Sequence, residues 1–304
     1  MVFRLEPILR PMVWGTEMWV LSGYPERMSV VVDGPCKGMT INELVAQFKE
    51  GLLGRWAYWR FGDEFPLLVK YLDVRKPLSI QVHPSESLAR ERHGAHGKNE
   101  MWYVIRAAEG AQLMSGLSAR ITPEDYVRKV ADGTITDVIA HHDIKEGDVF
   151  FIPTGRIHAL LPGSYVAEIQ QTSDMTYRIY DYNRPGLDGK PRQLHTELAK
   201  EAIDYHVYSD YRVHYNPRKD VEVPLVSCPF FSTSLLDLDS PFKLDIRRRD
   251  SFVILMEVGG SGTVVCDGQK EELGHNGCLL IPASSEEIEF FPGPDGLKLL
   301  LGQL

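Results

Sequence analysis

The chain has 304 residues, 43% of them hydrophobic and 25% charged, and a formal net charge of −9. Those proportions belong to a globular protein long enough for about two domains with sizeable cores. The acidic balance excludes a nucleic-acid surface or a polybasic membrane surface, both of which need clustered Lys and Arg. It leaves room for a local basic pocket that takes a small anion.

From the start of the chain, residues 1–20 carry charges at Arg4, Glu6, Arg10 and Glu17 and no apolar segment, so they do not read as a signal peptide. No run approaches the roughly 18 apolar residues of a membrane span. Residues 40–53 (TINELVAQFKEGLL) place Leu44, Val45, Phe48 and Leu52 at helical spacing, with Thr40 as cap and Glu43 three residues on. Short β-rich runs follow at 78–82 and 101–105. The segment 122–131 (TPEDYVRKVA) predicts a second helix, with Thr122 as N-cap, Pro123 at the first position and an acidic first turn. Residues 148–152 and 165–170 are again β-branched and aromatic, and 195–205 (HTELAKEAIDY) predicts a third helix. The last third reads as strands at 252–256, 262–266, 278–281 and 288–291. The basic run Arg247, Arg248 and Arg249 reads as a solvated strand edge or turn.

Many short strands between Gly and Pro signals predict a mainly β fold, a sandwich or jelly roll, with a few helical inserts. A short internal repeat points to two such barrels: Gly147-DVFFI-Pro153 resembles Gly277-CLLI-Pro282, each a glycine turn, an apolar strand and a proline that ends pairing. Residues 185–225, with Pro185, Pro191, Pro217 and Pro224, read as the connector. The expected division is therefore 1–184, 185–225 and 226–304. Cys36, Cys228, Cys266 and Cys278 form no CxxC pair, which predicts reduced thiols in a cytoplasmic protein.

The chemistry concentrates in the first barrel. Gln81 and His83 lie two apart in a strand-like run and so share a face. Glu100 heads the next strand, and His158 follows the Gly147–Pro153–Gly155 segment. If these strands line one barrel, two imidazoles, a carboxylate and an amide converge. That donor set suits Zn²⁺, with Mn²⁺ or Fe²⁺ as alternatives. His93, His96, His141, His142, His206 and His214 are read as surface or hydrogen-bonded residues.

The spacing Gly147-x5-Pro153-x-Gly155-x2-His158 resembles the second motif of the cupin superfamily, except that Pro162 stands where the family has Asn. More specifically, FPLLVKYLDVRKPLSIQVHP at 65–84, GKNEMWY at 97–103 and EIQQTSDMTYRIYDYNR at 168–184 resemble type I phosphomannose isomerases, as do Trp14-Gly15 and Trp19. The chain lacks room for the helical insertion of longer members and resembles the short bacterial form. The resemblance implies one zinc per chain at Gln81, His83, Glu100 and His158, an active-site arginine at Arg178 and a pocket lysine at Lys98. It implies a small phosphosugar substrate, isomerised between mannose 6-phosphate and fructose 6-phosphate. Lys98 is then either the proton-transfer base or a phosphate ligand, with Asp181 and Glu168 as acidic alternatives. The second barrel is expected to be a degenerate scaffold, because no histidine lies between His214 and His275 and Glu287 stands where His158 would align. Another metal-dependent cupin enzyme and a silent sugar-phosphate-binding module are the competing readings. The oligomeric state is not legible.

Overall fold

Strand outweighs helix by 43% to 15% over residues 1–304, all of which the computed structural model describes. The chain divides into two units: Leu9–Glu17 with Tyr71–Val213, and Met1–Ile8 with Met18–Lys70 and His214–Leu304. This grouping departs from the linear division expected from the sequence. Helix Thr196–Ala202 and strand Arg212–Val213 belong with the strands of 71–184, because Ala199 packs in their core and Arg212 pairs with Phe150. Segment 18–70 belongs with the C-terminal strands: Ala283 N donates to Leu52 O at 3.0 Å, and the Phe65 ring lies 4.8 Å from that of Phe252.

The unit built on Tyr71–Val213 holds two antiparallel sheets. One has five strands in the order Tyr177–Tyr180, Ile80–Val82, His158–Leu160, Gln112–Leu117 and Ile139–Asp143. The other runs Arg212–Val213, Val149–Ile152, Glu100–Ala107, Ser164–Gln171, Leu67–Val74, Gly15–Ser22 and Ile8–Met12, with Leu67–Val74 and Gly15–Ser22 continuing past the limits of this unit. Alternation along the strands sorts the side chains into two layers. Leu113 and Leu160 meet Leu72, Trp102, Val104, Phe150, Ile152 and Val166 in the core between the sheets. Ile80, Val82, Met114, Ala159, Tyr177 and Ile179 point the other way, under helices Pro123–Ala131 and Thr196–Ala202. The residues between these outward positions, Gln81 and His158 among them, are thereby turned inward.

In the other unit, eight strands form one sheet, with Phe3–Arg4 paired to Cys278–Ile281. Two strands expected at 252–256 and 262–266 are one, Val253–Cys266, whose register shifts at Glu257/Gly259 and Gly260/Gly262. The glycines make bulges here and not a turn: Gly260 has φ of +73°, and a Cβ on it would meet Gly296 O at 2.1 Å. The expected helix 40–53 is real but broken into Ile41–Phe48 and Glu50–Leu53 by Lys49 at φ of 49°. The capping box between Thr40 and Glu43 forms as read. Of the basic run, Arg247 pairs with Asp245, and Arg249 with Glu222 and Gln303. No helix is long and apolar enough to cross a membrane.

Candidate metal centre

Ladder register assembles the site. Gln81 is the cross-strand partner of His158 on one side and of Arg178 on the other, and His158 is also the partner of Ser115. Residues directly opposite in a ladder share a face, so Arg178, Gln81, His158 and Ser115 form one inward row across four strands. His83, two residues beyond Gln81, continues that face. From the facing sheet, Glu100 opens strand Glu100–Ala107, opposite Gln170 and Ile152.

His83, Glu100 and His158 are each at most 1% exposed, and their ligand atoms lie within 4.8 Å of one another. Glu100 Oε2 is 3.4 Å from His83 Nε2, and Oε1 is 3.4 Å from His158 Nε2. Both imidazoles are oriented from behind. His83 Nδ1 is 2.9 Å from Met175 O and His158 Nδ1 is 2.8 Å from Arg156 O. Only a protonated Nδ1 can donate to those carbonyls, so each Nε2 turns a lone pair toward the carboxylate, the arrangement found behind metal-bound histidines. The His158 ring also stands on edge to Trp102, with centroids 5.4 Å apart.

Electrostatics keep these groups in ligand form. Burial pulls the His83 pKa down to about 4, with Lys98 adding to the effect, and burial lowers His158 as well. Burial opposes the charge on Glu100, but Lys98 and the two histidines outweigh it and hold the carboxyl well below its ordinary range. At neutral pH the cluster is two neutral imidazoles and a carboxylate. Lys98 is 5% exposed, and its Nζ lies 2.7 Å from Glu100 Oε2 and 3.3 Å from His83 Nε2. Burial disfavours its charge, yet Glu100, Glu168 and Asp174 more than offset this and raise its pKa. Lys98 is therefore an ammonium beside the cluster.

These residues fit a divalent ion. Both Glu100 oxygens are buried, and neither has a hydrogen-bond partner beyond the ion pair of Oε2 with Lys98. Two donors bound to one ion stand at most about 4.2 Å apart, and both histidine–carboxylate separations of 3.4 Å already fall inside that limit. Gln81 Nε2 is drawn 3.3 Å from His158 Nε2. Turning the amide over would present its oxygen instead, and the two orientations are distinguished only by their partners.

Arg178 is placed differently. It shares the inward row, but its guanidinium NH1 donates to Gln193 O at 3.0 Å, and its Nε is buried without a partner. Asp181 is held by Arg184 and Arg192, each through two hydrogen bonds. Glu168 lies next but one to Gln170 and accepts from Trp102 Nε1 at 2.9 Å. Trp102, Gln170 and Ser115 were not singled out by the sequence; period-two alternation from Glu100 points to Trp102, whereas Gln170 and Ser115 join through the ladder, opposite Glu100 and His158. Several histidines read as ordinary are hydrogen-bonded away from the cluster: His93 to Tyr177, His96 to Glu86, His142 to Ser115 O and His206 to Asp204.

Paired antiparallel sheets with such a donor set between them define a cupin carrying a candidate metal centre. The pattern of the phosphomannose isomerase type I catalytic domain matches residues 7–104. The mannose-6-phosphate isomerase of Streptococcus mutans is 32% identical, covering 90% of this chain and 84% of its own. The mannose-6-phosphate isomerase ManA of Bacillus subtilis is 30% identical over 86% of each. A crystal structure of mannose 6-phosphate isomerase from Bacillus subtilis superposes with a TM-score of 0.89 at 30% identity, covering 100% of this chain and 99% of that one. The chain belongs to the type I phosphomannose isomerase family, a family of isomerases.

Proposed function

We propose that the protein interconverts D-mannose 6-phosphate and D-fructose 6-phosphate at one zinc ion held by Gln81, His83, Glu100 and His158, moving a proton through an enediol. The observation that carries this reading is the buried His83–Glu100–His158 group, its two Nε2 lone pairs turned onto a carboxylate that lacks proper hydrogen bonds. Each unit is read as one cupin barrel, with the metal in the one that contains 71–213. The free cysteines accord with a cytoplasmic enzyme.

A zinc held by these four residues would supply Lewis acidity to polarise the carbonyl of the sugar. The protein's own groups do the rest. An ammonium cannot abstract a proton, so Lys98 at rest is a cation and a proton donor toward a substrate oxygen. Abstraction from carbon needs an unprotonated base, and the acidic candidates are Asp181 and Glu168. Asp181 is committed to Arg184 and Arg192, which assigns that task to Glu168, whose charge already acts on Lys98. Arg178 sets a permanent positive charge on the same inner row, where negative charge develops on the substrate. A coupled assay on mannose 6-phosphate tests the proposal: activity should vanish with a chelator and return with zinc. Full activity in metal-free protein would overturn it.

A further inference from the structure

The three residues before Glu100 carry Lys98 against the cluster, and two side chains outside the cluster fix the backbone on either side of it. Before Lys98, Gly97 N donates to Glu86 Oε2 at 2.9 Å and His96 Nδ1 lies 2.9 Å from Glu86 Oε1. After it, Asn99 N and Asn99 Nδ2 both donate to Gln171 Oε1, at 2.9 and 2.7 Å. Gln171 Nε2 then donates to Glu86 Oε2 at 3.2 Å and joins the two clamps. Asn99 Oδ1 accepts from Thr154 N at 3.1 Å, tying the segment to the loop that leads to His158. The approach is close: a Cβ on Gly97 would sit 2.6 Å from Glu86 N.

We propose that Glu86 and Gln171 are positioning residues for Lys98, a bracket that holds the backbone on both sides of it so that its ammonium sits against Glu100. A four-carbon side chain reaches a given point only as accurately as its Cα is held, and a lysine offers a single compact charge on a flexible stem. The Gly97 N–H and the Asn99 N–H are the donors immediately flanking Lys98, and each is taken by one end of the same two-residue bracket. Glu86 stands at the first turn of helix Glu86–His93 and Gln171 ends strand Ser164–Gln171. The bracket therefore rests on a helix and a strand, not on a loop. The proposal rests on the role given to Lys98 above.

The test is a double-mutant cycle between Gln171→Met and Lys98→Met, with metal content measured for each variant. Gln171→Met keeps the length of the side chain and removes both hydrogen-bonding functions. It should retain its metal and lower kcat roughly 10- to 100-fold, the scale of an ångström of misplacement. KM should move less. Added to Lys98→Met, it should change kcat less than about twofold, since residues acting through one another are not additive. Hydrogen exchange of the 94–100 segment should speed up in both backgrounds. An equal fall in kcat in both backgrounds, an unchanged kcat in Gln171→Met, or loss of metal would overturn the bracket. If Lys98→Met alone keeps full activity, it is the role of Lys98 that fails. Should Gln171→Met not fold, Glu86→Gln enters the same cycle with the same expected outcomes.

Discussion

Acidifying the metal-free protein should expose the cost of burying His83. Unfolded, its imidazole titrates near the ordinary value of about 6.5. Folded, it sits at about 4, chiefly because it is fully buried and secondarily because Lys98 faces it. The unfolded chain therefore binds more protons over the window from about 6.5 to about 4, and stability must fall as pH falls through it. With those two values, linkage gives about 2 kcal/mol lost at pH 5 and about 3 kcal/mol at pH 4, against almost nothing at pH 7. For a fold whose whole stability is of order 5–15 kcal/mol, that is a large share. Urea unfolding with chelator present, at pH 7, 6, 5 and 4, measures it directly. His83→Gln has no imidazole to titrate there and should show a shallower decline by about that amount. Parallel pH curves for the two proteins would refute the assignment of this cost to His83.

Four further outcomes follow from the same geometry. His158→Ala should lose metal and activity together, and elemental analysis of the wild type should find about one zinc per chain; two tightly held equivalents would refute the single site. Arg178→Ala should keep its zinc but lose about 10²–10³ in kcat, on the scale of a missing oxyanion donor, and an unchanged kcat would remove it from the mechanism. The ligands are already neutral imidazoles and a carboxylate near pH 7. Metal uptake measured by calorimetry in two buffers should thus release under about half a proton per ion; a whole proton would mean that Lys98 gives one up as the ion arrives. Turnover in D₂O should place some deuterium at C2 of mannose 6-phosphate or C1 of fructose 6-phosphate, whereas complete retention of substrate hydrogen even in single turnovers would favour hydride transfer.

The ligand candidates were legible because strand alternation ties chain spacing to facing. Gln81 and His83 lie two apart, so their common orientation follows from period two alone; Glu100 begins a strand of the facing sheet, and its meeting with them does not. What the spacing could not show is the ladder that sets Arg178 and His158 on opposite sides of Gln81, since pairing joins strands far apart in the chain. Helix Glu86–His93 (ESLARERH) escaped notice because its only fully buried position is Ala89, which leaves no apolar stripe to read. Helix Arg55–Phe61 escaped because RWAYWRF has the aromatic density of a strand. The Glu86–Gln171 bracket spans 85 positions and consists of polar residues that look like ordinary surface in sequence. Lys98 came into view only through the family resemblance, and its charge state was not legible, because it depends on Glu100, Glu168 and Asp174 acting on it together.

The interleaving of the two units fixes an order of events during synthesis. Once residue 213 has left the ribosome, every segment of the unit that holds the candidate site, 9–17 and 71–213, is available to fold. Segment 18–70 has also emerged by then, yet the strands it groups with lie in 214–304 and are still to come. For the time needed to make some ninety more residues, several seconds or more at ordinary elongation rates, buried residues such as Leu44, Val45, Leu52 and Phe65 lack their final cover. A stop codon near 213 would therefore leave a complete set of site residues attached to an orphaned apolar segment, and the product of such a truncation should aggregate even though none of its proposed ligands is missing.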